Sequence, residues 1–248
     1  MNKDWNDEQI AEALATEAGK ILLDLQRSGD FTGKALGKVG DEAANKYLMA
    51  ELASVRPDDA FLSEEEKDDH ARLSANRVWI IDPLDGTREY SEGRDDWAVH
   101  VALAINSIPK VGAVALPGLG RTLTSGKPTQ LPEANTPPKM LVSRTRPAKE
   151  AVAVAETMGA ELLPMGSAGA KAMAVVRGEA DIYLHSGGQY EWDNCAPVAV
   201  AMAAEFHCSR IDGAEIVYNQ ADPYLPDLLI CRKELANQAL ELVAAMDQ

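Results

Sequence analysis

Two segments near the start of the chain have the apolar spacing of amphipathic helices. In residues 6–26, apolar side chains recur every three or four positions, which predicts a helix with Asn6 or Asp7 as its N-cap. A similar stripe predicts a second helix over residues 41–55. The segment between them, residues 28–40, is rich in glycine, and we expect an irregular, mobile loop there.

Short apolar runs after these helices predict β-strands. The predicted strands of the first half are residues 60–63, 77–82, 97–105 and 110–117. The last two are expected to pair as an antiparallel hairpin. The predicted elements after residue 138 are strands at 139–143, 160–164 and 180–185, and helices from about 148, at 168–176 and at 194–204. This alternation favours an α/β arrangement in which helices cover a sheet.

A polar segment separates two parts of the chain that differ in pattern. Residues 125–138 hold four of the 13 prolines, so we predict a linker there. In residues 1–130 the helices come before the strands, whereas in residues 139–248 strands and helices alternate. The chain is therefore predicted to be an α/β (α+β) protein with an N-terminal half that carries a metal site and a C-terminal half that completes it.

The composition excludes several classes of protein. The 248 residues carry a formal net charge of −15, so the surface repels nucleic-acid polymers and anionic membranes. The three cysteines show no CxxC spacing, which argues against a disulfide-built secreted protein. No apolar run approaches the roughly 18 residues of a membrane span, and the first residues lack a signal-peptide pattern. We therefore expect a soluble, cytoplasmic protein with no membrane insertion.

Acidic residues stand at four places where a strand is predicted to end or a helix to begin. They are Glu64, the pair Asp82 and Asp85, Asp193, and Asp41. Each place alone has a simpler interpretation, because Asp-Pro and Asp-Gly are common turn dipeptides and Asp193 or Asp41 could cap a helix. Their joint placement favours a metal site over four unrelated turns and caps.

The stretch DPLDGT, which begins at Asp82, combines groups that suit Mg²⁺ and phosphate. Asp82 and Asp85 would repel each other unless a cation lay between them. Mg²⁺ takes oxygen ligands, and the proline fixes the backbone so that the Leu84 carbonyl can join them. Gly86 and Thr87 would offer backbone N–H groups to an anion at a helix start.

Two similar motifs are excluded by their spacing. The D-x-D-G-T motif of aspartyl-phosphate phosphatases separates its two aspartates by two residues, whereas Asp85 follows Asp82 by three. The alternation along the strand on which that motif depends is lost, so a water molecule is the expected nucleophile. The D-x-D-x-D-G loop of a Ca²⁺-binding module is also missing from the sequence.

Four stretches together resemble the lithium-sensitive inositol monophosphatase superfamily of Mg²⁺-dependent phosphatases. They are SEE, WIIDPLDGT, GSAGAKAMAVVRGEADIY and EWDNCAPVAVA. The resemblance covers roughly residues 6–245 and is strongest to the bacterial 3′(2′),5′-bisphosphate nucleotidase branch. It implies a layered α/β/α/β/α sandwich, as in inositol monophosphatase and fructose-1,6-bisphosphatase, and not two freely hinged domains.

The resemblance also implies which residues hold the metal ions. Glu64, Asp82 and the Leu84 carbonyl resemble the ligands of a first Mg²⁺. Asp82, Asp85 and Asp193 resemble those of a second, so that Asp82 would bridge the two ions. Such a pair of ions activates water and stabilises the leaving oxygen of an in-line displacement.

Catalytic roles follow from the same resemblance. Residues 84–87 resemble the phosphate cradle, and Glu64 with Thr87 resembles the groups that orient and deprotonate the water. Asp41 would be either a proton-relay carboxylate or a helix cap. Many relatives have a threonine three residues before this aspartate, and this chain has Lys38 there.

Substrate recognition is implied for two further segments. The residues that resemble substrate contacts, besides Leu84, Asp85, Gly86, Thr87 and Asp193, are Ser143, Arg144, Gly166, Ser167 and Lys171. Basic and hydrogen-bonding groups of this kind could bind a second phosphate. The alternatives are that Arg144 is surface charge and that Lys171 lies on the polar face of a helix.

The function expected from the sequence is hydrolysis of adenosine 3′,5′-bisphosphate (PAP) to AMP and phosphate, with its sulfated form PAPS as a second substrate. The alternatives are an inositol or sugar phosphate phosphatase and, from another class, a non-catalytic metal- and nucleotide-binding sensor. The sensor would be expected to lack a metal carboxylate or Thr87, and none is missing. The expected partner is a small nucleotide bisphosphate, and the chain is expected to be a monomer or a homodimer.

Overall fold

The computed structural model describes residues 1–247 of the chain. Seven α-helices lie in this part: α1 (Asp7–Ser28), α2 (Gly33–Val55), α3 (Thr87–Ser91), α4 (Lys149–Met158), α5 (Ala168–Val176), α6 (Glu191–Ala203) and α7 (Lys233–Ala244). The Asn6 side chain accepts a hydrogen bond from Gln9 N at 2.8 Å, which confirms Asn6 as the N-cap of α1.

Ten strands in the same residues form two five-stranded sheets. The strands are β1 (Ala60–Ser63), β2 (Arg77–Asp85), β3 (Ala98–Ile105), β4 (Ile108–Leu116), β5 (Arg121–Thr124), β6 (Lys139–Ser143), β7 (Glu161–Met165), β8 (Ile182–Tyr190), β9 (His207–Ser209) and β10 (Tyr224–Cys231). The first sheet has the order β1-β2-β3-β4-β5 and the second has β7-β6-β8-β10-β9. The predicted antiparallel hairpin is confirmed as the pair β3 and β4.

The elements stack in five layers, which confirms the predicted α/β/α/β/α sandwich. One apolar cluster joins α1 and α2 to the first sheet. A second cluster places α5 and α6 between the two sheets. A third joins α4 and α7 to the outer face of the second sheet. Helices cover both faces of both sheets, so little of either sheet needs to be polar.

Side chains of β2 alternate between two of these layers. Trp79 and Ile81 belong to the cluster with α1 and α2, whereas Val78 and Ile80 belong to the cluster with α5 and α6. All four are at most 1% exposed. The near-continuous apolar run RVWII is therefore the pattern of a strand buried on both faces, and it brings the Asp82 that follows it deep between layers.

The predicted mobile loop at residues 28–40 is wrong for most of its length. Helix α2 begins at Gly33, so Asp41 lies within the helix and is not its cap. Glycine is required at Gly37 by close packing, since a Cβ there would lie 2.5 Å from Ser91 Oγ and 2.8 Å from Thr87 Cγ2. The glycines that suggested a loop therefore allow α2 to approach α3.

Several elements were not predicted from the sequence. Strands β5, β9 and β10 and helix α7 are additions, and β8 continues to Tyr190, five residues beyond its predicted end. Helix α6 begins at Glu191, so Asp193 lies in its first turn and not before it. The β10 run YLPDLLIC contains Pro226 and Asp227, and an irregularity in its pairing with β8 accommodates them.

Residues 125–138, the predicted linker, connect β5 of the first sheet to β6 of the second. Asp181, which is 1% exposed, accepts hydrogen bonds from Asn135 N at 3.0 Å and Lys139 N at 2.9 Å. Arg232 donates to the Pro132 carbonyl at 2.6 Å. Among residues 1–247, no helix combines the length and the apolar character that crossing a membrane requires.

Candidate active site

Asp82 and Asp85 face the same layer because the ladder between β2 and β3 is irregular. Asp82 pairs with His100 and Asp85 with Ala98, so three residues of β2 span a distance that two residues span on β3. A spacing of three would otherwise point the two carboxylates to opposite faces. Leu84, within the irregularity, turns into the opposite cluster. The shift in register thus places Asp82 and Asp85 on the same face of β2, which their spacing of three residues would not do by itself.

Three carboxylates converge between the two sheets. Oxygen atoms of Asp82, Asp85 and Asp193 all lie within 4.8 Å of one another. Burial first, and then repulsion from neighbouring carboxylates, raises the pKa of Asp82 well above its usual range. The same two effects raise the pKa of Asp193 to about 7, although a hydrogen bond from Tyr190 N at 2.6 Å opposes them. The cluster therefore favours either protons or cations.

Glu64 stands at the rim of this cluster. It follows β1, its backbone N–H donates to the Ile81 carbonyl at 3.2 Å, and its side chain is exposed. Partial desolvation and repulsion from Glu65 raise the pKa of Glu64. A hydrogen bond with Asp82 opposes this rise.

Asp85 is held by a different set of groups. Its Oδ2 accepts from Gly169 N at 2.6 Å and from the Ser167 hydroxyl, and its Oδ1 accepts from Ala168 N at 3.1 Å. His100 Nε2 lies 3.2 Å from Oδ2 but lacks hydrogen-bond geometry, so we treat the contact as an ion pair. Burial alone would raise the pKa of Asp85, but the charge of His100 and these donors lower it to about 2.

His100 adds to the support of Asp85. It is fully buried, and its Nδ1 lies 3.0 Å from the Trp192 carbonyl. Its contact with Asp85 was missed, because only the register of β2 against β3 reveals that the two side chains share a face.

The turn after Asp85 brings Thr87 close to Asp41. Gly86 has a φ of +89°, a left-handed conformation that strongly favours glycine, and it precedes α3. The Thr87 hydroxyl lies 3.1 Å from the Leu84 carbonyl and 3.5 Å from Asp41 Oδ1. Its single proton can bond to one of them at a time. Burial, with repulsion from Glu65, raises the pKa of Asp41 to about 7.

Lys171 does not lie on the polar face of α5. It is 5% exposed, and its Nζ donates to the carbonyl oxygens of Gly166, at 3.0 Å, and Ser167. Burial lowers its pKa to about 8, although attraction to Asp85 opposes this. Lys171 therefore holds the turn that supports Asp85, and its role in substrate binding stays a prediction.

The other basic residue of the predicted pocket is engaged in ion pairs. Arg144 Nε lies 2.7 Å from Glu89 Oε1, and Arg144 Nη2 lies 2.6 Å from Glu92 Oε2, both on or beside α3. Gly166 N donates to Asp96 Oδ2 at 2.7 Å. Arg144 thus bridges the two sheets near the turn after Asp85, and Ser143 lies at the end of β6 beside it.

The donor set fits a hard divalent cation. Three carboxylates within a few ångströms, two of them with raised pKa values, are unfavourable unless positive charge is supplied. All the candidate donors are oxygens, which Mg²⁺ prefers, whereas the two cysteines nearest in sequence, Cys195 and Cys208, are buried or half-buried outside the cluster. Asp85 retains lone pairs beyond those used by α5, since a carboxylate can accept about four hydrogen bonds.

Comparison with known protein families identifies the family of the chain. Residues 6–246 match the Inositol monophosphatase family. The chain belongs to the inositol monophosphatase family. It is therefore a phosphatase, as the motifs DPLDGT and EWDNCAP predicted.

Individual relatives of the chain are named for specific substrates. The chain is 49% identical over 242 residues to a protein of Mycobacterium tuberculosis named 3′-phosphoadenosine 5′-phosphate phosphatase, with 92% of this chain and 90% of the relative covered. It is 28% identical over 231 residues to the 3′(2′),5′-bisphosphate nucleotidase CysQ of Escherichia coli, covering 86% and 94%.

Solved structures of the family share the fold. CysQ from Bacteroides thetaiotaomicron superposes with a TM-score of 0.77 at 23% identity, covering 92% of this chain and 97% of that one. The Thermotoga maritima inositol monophosphatase gives a TM-score of 0.76 at 20% identity, covering 95% of each chain. These likenesses support the five-layer architecture of the family for this chain.

Proposed function

We propose that this phosphatase removes the 3′-phosphate of PAP, releasing AMP and inorganic phosphate. The observation that carries the proposal is the 49% identity, over 92% of the chain, to a phosphatase named for this substrate. The convergence of Asp82, Asp85 and Asp193 supports it, because such a cluster can hold the cations that a phosphate ester requires. PAPS, which has the same 3′-phosphate, is the second proposed substrate.

Mg²⁺ is the proposed cofactor, bound as two ions by Glu64, Asp82, Asp85, Asp193 and the Leu84 carbonyl. When bound, such ions neutralise phosphate charge and lower the pKa of water. A water molecule is the proposed nucleophile and no covalent phosphoenzyme is proposed, because Asp82 and Asp85 are assigned as ligands of the ions, and Asp85 also accepts hydrogen bonds from α5. Phosphate leaves by in-line displacement, which demands positioning and charge neutralisation.

The residues of the chain have distinct proposed tasks. The backbone N–H groups of Gly86 and Thr87, at the start of α3, bind phosphate oxygens. Glu64 and Thr87 orient the attacking water and accept its proton. Asp41, with a pKa near 7 and a hydroxyl contact at 3.5 Å, can exchange a proton with Thr87. The position of Asp41 within α2 favours this relay over the helix-cap alternative.

The test is phosphate release from PAP, PAPS, inositol 1-phosphate and fructose 1,6-bisphosphate in parallel assays. Each substrate is measured with Mg²⁺, with EDTA, and with Mg²⁺ plus lithium. We expect turnover that is fastest on PAP, lost in EDTA and inhibited by lithium. Faster turnover of the inositol or sugar phosphate than of PAP would contradict PAP as the substrate. No turnover of any of the four compounds would favour the non-catalytic sensor.

A further inference from the structure

Three aromatic side chains form a surface cluster that the proposed phosphate chemistry does not use. The rings of Tyr190 and Trp192 are stacked, with centroids 4.8 Å apart and an angle of 5° between their planes. The ring of Tyr224 meets Tyr190 edge-on, at 5.6 Å and 78°. Tyr190 is 40% exposed and Tyr224 is 43% exposed, whereas Trp192 packs partly into the core between the sheets. We call these three residues the aromatic cluster.

The aromatic cluster is attached to the carboxylate site through the backbone. Tyr190 N donates to Asp193 Oδ2 at 2.6 Å, and the Trp192 carbonyl lies 3.0 Å from His100 Nδ1. His100 in turn contacts Asp85. Two of the three converging carboxylates are therefore supported, directly or through His100, by the backbone of the same two residues whose rings form the stack.

The cluster is also rigid. Tyr224 pairs with Tyr190 in the ladder between β10 and β8, and the Tyr224 hydroxyl accepts a hydrogen bond from Gly188 N at 3.2 Å. A flat ring that is already backed by a second ring loses little conformational freedom when it binds a third. Exposed aromatic surface on a soluble protein commonly marks a contact with a ligand or a partner.

The charge around the cluster limits what can bind there. Glu191 and Asp193 lie on either side of Trp192 in the sequence, Asp222 accepts from Tyr224 N at 3.0 Å, and the chain as a whole carries −15. A phosphate or carboxylate would be repelled, whereas a neutral, planar ring would not. A nucleotide bound with its 3′-phosphate at the carboxylates has one such ring, the purine, joined through the ribose.

We propose that the aromatic cluster is the base-binding site, in which Tyr190 stacks on the purine ring of the substrate. This inference rests on the proposed function, and it assigns Tyr190 as the residue by which the enzyme discriminates nucleotides from other phosphate esters. Stacking recognises the face of a base, so the site accepts any purine nucleoside 3′-phosphate that fits. A substrate without a ring gains nothing from Tyr190.

The experiment compares PAP with glycerol 2-phosphate, a secondary phosphate ester without a base. Tyr190→Leu is expected to raise the KM for PAP about 5- to 100-fold, with kcat changed less than about twofold. Its kcat/KM for glycerol 2-phosphate should stay at the wild-type value, and Tyr190→Phe should behave as wild type on both. Trp5→Leu is the matched control, since Trp5 is 36% exposed and lies just before α1, which packs on the first sheet.

Binding of AMP, followed by calorimetry, provides a readout that does not depend on turnover. Tyr190→Leu should weaken AMP binding by the same factor as it raises the KM for PAP. The proposal is overturned if Tyr190→Leu lowers kcat/KM equally for both substrates, because Tyr190 would then act only through Asp193. It is also overturned if Tyr190→Leu leaves PAP kinetics unchanged or merely dissociates a dimer, in which case a second copy of the chain covers the cluster.

Failure of the proposed function gives a different result. If the wild-type protein binds AMP through Tyr190 but does not hydrolyse PAP, the base-binding site stands and the proposed substrate is wrong. If it hydrolyses PAP and glycerol 2-phosphate with equal kcat/KM, the phosphatase chemistry stands and the base-binding site is wrong.

Discussion

At the scale of single residues, the carboxylates of the site have opposite electrostatic surroundings. Asp85 accepts three hydrogen bonds and contacts His100, so its charge is already stabilised. Asp82 is equally buried, but its neighbours are mainly other carboxylates. The need for a cation is therefore concentrated on Asp82, which is the residue proposed to bridge two ions.

Substitution of Asp82 should separate function from folding. Asp82→Asn removes a buried negative charge that is repelled by its neighbours, so in EDTA the variant should be as stable as the wild type or more stable. Its phosphatase activity should fall by more than about 100-fold, because both proposed cations lose a shared ligand. Thermal unfolding in EDTA and phosphate release from PAP measure the two effects.

Asp181→Asn is the matched control for this prediction. Asp181 is as buried as Asp82, but it accepts from the backbone N–H groups of Asn135 and Lys139 and lies outside the carboxylate cluster. Its loss should lower the melting temperature and leave the Mg²⁺ requirement unchanged. A loss of stability in Asp82→Asn similar to that in Asp181→Asn would contradict the electrostatic account of Asp82.

At the scale of elements, the close packing of α2 against α3 positions Thr87. Gly37→Ala would place a methyl group against Ser91 and Thr87, a type of overpacking that costs about 1–3 kcal/mol. The better helix propensity of alanine offsets about 1 kcal/mol of that cost. We therefore expect a small loss of stability and a fall in kcat of about 10-fold or more from the displaced hydroxyl.

Lys38→Ala is the control in the same helix, since the Lys38 side chain is 77% exposed. Parallel measurements of kcat and of the free energy of unfolding would distinguish the two variants. If Gly37→Ala kept the wild-type kcat while α2 tolerated the methyl group, Thr87 would not depend on the approach of α2.

A second link between elements connects the segment after Glu64 to the start of α6. Arg72, which is 2% exposed, donates to Asp68 Oδ2 at 2.7 Å and to Asn219 Oδ1 at 2.8 Å. The backbone N–H of Asn219 donates to Glu191 Oε2 at 2.7 Å. Glu191 is the first residue of α6, two positions before Asp193. This network connects the segment that follows Glu64 to the first turn of α6, which carries the proposed metal ligand Asp193.

Arg72→Met should loosen that link and weaken metal binding. The variant leaves the partners of Arg72 without their buried donor, so the Mg²⁺ concentration for half-maximal activity should rise about 10- to 100-fold. The Mg²⁺-induced rise in melting temperature should shrink in parallel. Arg77→Met is the control, because Arg77 pairs with Asp59 and Asp7 on the far side of β2. Equal Mg²⁺ requirements in the two variants would contradict the proposed link.

At the scale of the whole molecule, the carboxylate cluster makes stability depend on pH in the absence of metal. Burial and mutual repulsion raise the pKa values of Asp82, Asp193 and Asp41, the last two to about 7. Between about pH 4 and pH 7 the folded state therefore binds more protons than the unfolded state, so stability falls as pH rises. His185, with a pKa lowered to about 4 by burial, opposes this with one proton.

The melting temperature in EDTA is therefore expected to fall from about pH 5 to about pH 7.5, by roughly 2–4 °C for each kcal/mol lost. Excess Mg²⁺ should reverse the trend, since deprotonated carboxylates bind cations more tightly. Scanning fluorimetry across this range, with and without Mg²⁺, measures both slopes. A metal-free melting temperature that rises with pH over this interval would contradict the raised pKa values.

The sequence by itself determined much of the chemistry and part of the fold. Helix α1 with its Asn6 cap, the β3–β4 hairpin and the alternation after residue 138 follow from short-range periodicity and capping. The helix, its cap and the hairpin are local, so neighbouring residues suffice to specify them. The five-layer fold and the phosphatase activity were expected only from the resemblance of the motifs around Asp82 and Asp193 to a known family.

The tertiary structure decided what depends on contacts between distant segments. The glycines at the start of α2 indicate a loop by local propensity, and only packing against α3 explains the helix. The spacing of Asp82 and Asp85 predicts opposite faces, and only the shifted register against β3 brings them together. The contacts of Asp85 with His100 on β3 and with the first residues of α5 depend likewise on how separate segments are brought together, which a local pattern cannot specify.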